Sequence, residues 1–220
     1  MSWVCPDRYR SDIPRRWRRF WRRPPGSSTS WLVLTRPINP GPLEAFSTDF
    51  TEVAYVGGNR KAYLMAAARL ESKFVPGWAL GPSANRELAV RCWERFRERM
   101  SALSLPLGGR IIHHDQDSVY TSYRWLRALL LDDGLRVSYS GNGAKGNPWI
   151  ESLWGRTKIE IGSRIGEASS LPALRTVFDR RFKCYNQRRR HSSIGYIPPR
   201  KHLEQTLDIL ESESQLTAAS

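Results

Sequence analysis

Long apolar runs are missing from this 220-residue chain, and no stretch approaches the roughly 18 residues that a membrane-spanning helix needs. The N-terminus also lacks the apolar core of a secretory signal, so a cytoplasmic protein without a membrane partner is expected. Cysteine is scarce. Cys5, Cys92 and Cys184 are odd in number, far apart and form no CxxC pair or Cys/His cluster, which argues against disulfides and zinc and for reduced, buried thiols. No internal repeat is present, so stacked arrays are excluded. Acid is the other shortage: 21 Asp plus Glu stand against 35 Lys plus Arg, a formal net charge of +14. Such an excess repels itself unless a polyanion is bound.

The basic charge is concentrated on two flanks. Residues 1–45 hold nine Arg against three acids, 170–201 hold nine basic residues against one acid, and 46–169 are nearly balanced at seventeen against thirteen. Residues 202–220 are acidic, at −4. Three regions follow: a basic N-terminal segment with its linker (1–45), a core (46–201) and an acidic C-terminal tail (202–220). Basic flanks around a balanced core suit gripping of backbone phosphates on either side of a reaction centre. A merely solubilising surface is the plainer alternative.

With 40% hydrophobic and 11% aromatic residues, the chain can build one substantial core. In IPRRWRRFWRRPPGSS, Pro14 suits a helix start, Trp17, Phe20 and Trp21 fall at i, i+3, i+4, and Pro24-Pro25 ends the pattern. This segment is either a short basic amphipathic helix or disordered, and residues 24–45 read as a Pro/Gly/Ser linker. From Phe46, three strands joined by tight turns predict an antiparallel meander. Residues 83–103 predict a helix, IIHH (111–114) a short buried strand, 119–132 a helix and 135–140 a last strand. After a flexible GNGAKGN, helices are expected from Pro148 to about Ile161 and over LPALRTVFDRRFKCYNQR. A meander followed by alternating helix and strand indicates an α/β fold, a mixed five-stranded sheet with helices on both faces.

Three acids stand out by position. Asp49 lies within the first strand, Asp115 at the tip of the fourth, and Glu151 on the first turn of the helix begun by Pro148. In a mixed sheet the first and fourth strands can be neighbours, and a helix end crossing the sheet edge brings the third acid to both. Carboxylates forced together raise one another's pKa unless cations neutralise them, and magnesium suits a few carboxylates plus water and phosphate oxygens. Two such ions about 3.5–4 Å apart clamp the attacking and leaving oxygens of a phosphodiester. Singly, each acid has another explanation: an exposed strand residue, a turn former, an acid at a helix start. In the helix, Ile150, Leu153, Trp154, Thr157 and Ile161 trace a buried stripe, leaving Glu151, Gly155 and Lys158 along its edge. Lys158 is either a phosphate contact or a surface ion-pair partner.

FSTDFTEV, IIHHDQDSVYTS, GNPWIESLWGRTKIE and YNQRRRHSSIGYIPP, in that order across about 155 residues, resemble the signatures of a known family. They are similar to the DDE-type catalytic cores of bacterial insertion-sequence transposases and retroviral integrases, in which the second and third acids have the 36-position separation of Asp115 and Glu151. The resemblance implies a ribonuclease-H-like fold and two magnesium ions, with manganese as a substitute. It also implies double-stranded DNA as partner, both element ends and target, and a homo-oligomer acting on that DNA. It assigns Asp49, Asp115 and Glu151 as catalytic metal ligands. Lys158 matches a lysine near the DNA end, and Tyr185, Asn186, Arg188, Arg189, Arg190 and His191 match a basic motif that either contacts DNA or braces the last helix on the core. The expected activity is metal-dependent 3′-end cleavage and strand transfer, and the alternative is a decayed DNA-binding remnant. The chain departs from the family at His114, where a small residue is usual, at Asp117, where glycine is usual, and at Gly146, where an aspartate precedes Asn147. His113 shares a face with Asp115 by strand alternation and His114 turns away. A chromosomal site of action implies a bacterial protein that is nucleoid-associated when bound.

Overall fold

The structure is a computed structural model that describes residues 44–140 and 147–218. The amphipathic N-terminal segment, nearly all of the linker and the GNGAKG stretch lie outside the described residues.

Strands β1 (Ala45–Tyr55), β2 (Arg60–Arg69) and β3 (Gly77–Gly81) form the antiparallel meander, while β4 (Ile111–His114) and β5 (Arg136–Tyr139) add in parallel. The five-stranded order is β3-β2-β1-β4-β5, so β1 and β4 are direct neighbours, as the sequence led us to expect. Helix α1 (Arg86–Ser101) connects β3 to β4, and α2 (Tyr123–Arg127) continues into a wider π turn at 128–132 before β5. Helices α3 (Pro148–Glu167), α4 (Leu171–Gln187) and α5 (Pro199–Ala218) follow.

Alternation along the strands divides the core in two. Phe46, Met65 and Ile112 face α1 and α2 with Trp93, Phe96 and Trp125; Leu64, Ala66 and Leu80 face α3 and α4 with Ile150, Trp154 and Phe178. The first layer is an aromatic stack: Trp93 lies 4.5 Å from Phe96 and Phe46 4.9 Å from the same ring. Truncating any one of these buried rings costs about 3–5 kcal/mol. The helix rests directly on β3. A Cβ on Gly77 would stand 2.6 Å from both the Cβ and the backbone nitrogen of Phe96, so only glycine admits α1 at this distance.

Three expectations require correction. The helix predicted from 119 begins at Tyr123, because Asp117 closes a turn first, its carboxylate accepting the Val119 N–H at 2.8 Å. Helix α3 passes Ile161, where the backbone is non-helical beside Gly162, and resumes to Glu167; the sequence pattern ended at that break. Cys92 is buried, and burial pushes its thiol up, but Cys184 is exposed on α4. No helix among the described residues is long and apolar enough to cross a membrane.

Candidate active site

The parallel pairing of β1 and β4 sets the first two acids level. Ser47 stands opposite His113; two residues further along comes Asp49 on β1 and, just past the end of β4, Asp115. The third acid is brought in by a buried clamp. Asn147 Oδ1 accepts the Ser47 hydroxyl at 2.5 Å, and its Nδ2 donates to the Thr48 carbonyl at 3.2 Å. These bonds pin the residue before α3 to the backbone next to Asp49. Pro148 then opens the helix where no N–H is needed, and the Glu151 N–H donates to the Asn147 carbonyl at 3.3 Å. Glu151 therefore sits one turn beyond the clamp, exposed, while Ile150, Leu153, Trp154, Thr157 and Ile161 bury the opposite stripe.

Asp49 senses both of the other acids. Burial is the main cause that pushes the Asp49 carboxyl up to about 7, and the Asp115 and Glu151 carboxylates push the same way. The Phe50 N–H and the Trp154 indole oppose that rise. The buried Trp154 N–H makes no well-formed hydrogen bond among the described residues, so its pull on Asp49 is weaker than that of a formed bond. Asp115 is also raised, first by burial and then by Asp117, against the Asp117 N–H that donates to its Oδ1 at 3.2 Å. Among the described residues no three Asp, Glu, His or Cys side chains are drawn closely enough to enclose a metal ion. The donor chemistry nonetheless fits a hard dication: three carboxyl side chains that offer only oxygen, one of them with its charged form disfavoured where it stands.

The histidines divide as strand alternation requires. His113 pairs with the Ser138 hydroxyl at 2.9 Å and meets Trp149 edge-on. His114 is buried on the opposite face, stacked 4.4 Å from Tyr120, and burial holds its imidazole at about 3, hence neutral. Its Nε2 lies 3.2 Å from the donating Trp125 N–H, which leaves Nδ1 as the donor to the Asp115 carbonyl at 2.9 Å. It thus holds the Asp115 main chain from behind. Neither Asn147 nor His114 figured among the sequence-derived site residues. Asn147 carried a signal, a cap-type residue directly before a helix-opening proline, but its side chain bonds to β1 and caps nothing.

Lys158 is exposed two turns along α3 from Glu151, near Glu52. A Cβ on Gly155 would meet nothing within 4 Å, so this glycine leaves the helix face open without being required by packing. The basic motif largely braces the core. Asn186 bridges the Val75 N–H and carbonyl at 2.9 and 2.8 Å, His191 meets the Tyr185 ring edge-on, and Arg189 pairs with Glu160. The buried Arg181 reaches the same Glu160 at 2.6 Å. Burial is the main cause that holds His191 down to about 4. Arg188 and Arg190 are exposed.

Two family models described as integrase core domain match residues 39–145 and 134–199. The chain is 28% identical over 142 residues to the transposase for insertion sequence element IS904 of Lactococcus lactis subsp. lactis, covering 63% of this chain and 53% of that protein. It thus spans about half the length of this curated relative. Among solved structures, its fold is similar to a chain of the simian T-cell lymphotropic virus intasome in complex with the PP2A regulatory subunit B56 gamma. That match has a TM-score of 0.61 and 13% identity over 80% of this chain and 58% of that one. The catalytic core domain of BIV integrase matches with a TM-score of 0.55 and 14% identity over 77% of this chain and 99% of that one. The HTLV-2 integrase catalytic core domain in complex with magnesium matches with a TM-score of 0.51 and 16% identity, over 74% of this chain and 94% of that one. The fold is ribonuclease-H-like.

Proposed function

Since the chain belongs to the integrase-core family of transposases and integrases, we propose that it is a DDE-type transposase core that cleaves and joins DNA ends. The observation that supports this reading is that Asp49 and Asp115 lie side by side just past the β1–β4 pairing in the middle of the sheet, and that Asp115 and Glu151 both help to raise the Asp49 carboxyl. Asp49, Asp115 and Glu151 would hold magnesium, as two ions or with manganese in their place; when bound, the metal supplies counter-charge and Lewis acidity to phosphodiester oxygens. The chain's own contribution is placement. Asn147 fixes the height of Glu151, His114 fixes the Asp115 main chain, and Trp154 dries the inner side of Asp49. Lys158 and the exposed Arg188 and Arg190 bind backbone phosphates, while Arg189 and His191 support that surface from inside.

In the first step a water oxygen attacks phosphorus at the element terminus, the P–O3′ bond breaks, and a 3′ hydroxyl and a 5′ phosphate result. In the second, that 3′ hydroxyl attacks a target phosphodiester in line; a new P–O bond forms as the target's own P–O3′ bond breaks. No external energy source is needed. Work on two ends calls for at least two copies of the chain.

The absence, among the described residues, of three acids closed around a metal favours a second reading, a DNA-binding remnant without activity. Strand transfer on duplexes bearing the terminal sequences that flank the coding locus, with and without magnesium, tests both. Magnesium-dependent joining that disappears in Asp115→Asn supports the enzyme. Undiminished joining in that variant refutes the assignment, and a wild-type chain that binds duplexes but joins none supports the remnant.

A further inference from the structure

On the reading that this chain acts on duplex DNA, we propose that Ile159 is a further DNA contact, an apolar knob on α3 that seats in a groove of the duplex between phosphates held by Arg156 and Lys158. Ile159 is 80% exposed, more than any other large hydrophobic side chain among the described residues. Its place on the helix explains why nothing covers it. The stripe Ile150, Leu153, Trp154, Thr157 and Ile161 is buried, and at about 100° per residue Ile159 falls on the opposite side of the helix. A helical side chain leans back over the turn before it, where the residue four positions earlier would meet it. Here that residue is Gly155, where even an added Cβ would touch nothing within 4 Å, so no side chain there shelters the isoleucine.

The surroundings decide what the knob can meet. Around the helix, Lys158 lies to one side of Ile159 and Arg156 to the other, and both are exposed. Among the described residues neither joins an ion pair. Glu52, which lies toward Lys158, is held by Lys61 at 2.9 Å and by the Tyr63 hydroxyl, and Glu160 is taken by Arg181 and Arg189. An apolar tip between two cations is matched by a groove of duplex DNA, whose walls are phosphates and whose floor carries base edges, thymine methyls among them. A second copy of the chain meeting this face about a two-fold axis would instead set Arg156 and Lys158 against the same cations of its partner. Ile159 stands about 12 Å along α3 from Glu151, the rise of three to four base pairs, so one duplex can lie over both.

The test is fluorescence anisotropy of the full chain with a labelled duplex, without magnesium, between about 50 and 200 mM salt. Ile159→Ser is expected to weaken binding about tenfold while the slope of log K against log salt stays as in wild type, because no phosphate contact is lost. Ile159→Leu should restore wild-type binding. Lys158→Ala is the contrast, since it reduces the magnitude of that slope by about 1. With its side chain so exposed, Ile159→Ser should melt no earlier than wild type, which separates lost contact from lost fold. Unchanged affinity in Ile159→Ser, or a loss that comes with a shallower slope, would overturn the proposal. Self-association of the wild type in sedimentation velocity, abolished in Ile159→Ser while duplex affinity is kept, would give this face to a second copy instead. A wild-type chain that binds duplexes with the expected Ile159 dependence but joins none refutes only the enzymatic reading; one that binds no duplex refutes both.

Discussion

Replacing Asp49 by Asn should stabilise the metal-free protein, by an amount that grows as pH climbs from about 4 and levels off above about 7. Burial, the nearby Asp115 and Glu151 raise the Asp49 carboxyl from an ordinary 3.8 to about 7. The folded chain therefore holds a proton there that the unfolded chain has released, over roughly three pH units. Each unit is worth about 1.4 kcal/mol, so folding loses up to about 4 kcal/mol as pH climbs from about 4 to about 7. The sign follows from proton counts: in this window the native state binds more protons, and stability falls as pH rises. Asn has the same shape and no charge to desolvate. Urea unfolding of both proteins, without metal, should give nearly equal stability near pH 4 and an advantage for Asp49→Asn of about 2–4 kcal/mol at about pH 8. Magnesium added at about pH 8 should narrow or reverse the gap, since it stabilises only the protein that binds it, by about 2.7 kcal/mol at 100 times its Kd. A difference independent of pH, or equal stabilisation of both proteins by magnesium, would refute the reading of Asp49 as a desolvated ligand.

Asn147→Ala strands the Ser47 hydroxyl and the Thr48 carbonyl in a buried place, so urea unfolding should show a loss of about 2–4 kcal/mol. Strand transfer should fall further than stability explains, because Glu151 loses its tether. Gly77→Ala forces a Cβ to within 2.6 Å of the Phe96 backbone and should cost about 3 kcal/mol or prevent folding, read by circular dichroism and thermal unfolding. Lys158→Ala should weaken duplex binding evenly across sequences and reduce the magnitude of the salt slope by about 1, measured by fluorescence anisotropy at several salt concentrations.

The strand order was legible because apolar runs of strand length separated by Gly-rich turns leave few topologies, and β1 beside β4 is among them. The sequence allowed Asp49 and Asp115 to be neighbours but did not set their level placement, which comes from the β1–β4 register. What escaped were interactions between distant polar side chains. Nothing local in IIHHDQDS shows that His114 fills an aromatic box and bonds the Asp115 carbonyl, because Trp125 and Tyr139 reach it only through the fold. The pairing of Glu160 with both Arg181 and Arg189 escaped for the same reason; charge counting treated those arginines as available to DNA. In α5, attention to acidic charge hid the Leu203, Leu207, Leu210 spacing that makes the segment a helix.

Residues 47–49 show where the core gives way to the site. On either side, β1 contributes Phe46 and Val53 to the two apolar layers, yet between them stand Ser47 and Thr48, both fully buried, and the half-buried Asp49. Ser47 and the Thr48 carbonyl hold Asn147, while the buried Thr48 and Tyr120 hydroxyls, near one another behind the acids, make no well-formed hydrogen bond among the described residues. Each buried polar group left short of a partner costs about 1–3 kcal/mol, and an apolar residue there would avoid that cost. Selection for stability alone would therefore have removed this segment's polarity. Its retention beside two further acids is accounted for if the strand's task is to present oxygen ligands at a fixed height, so stability and activity should change in opposite directions at Asp49.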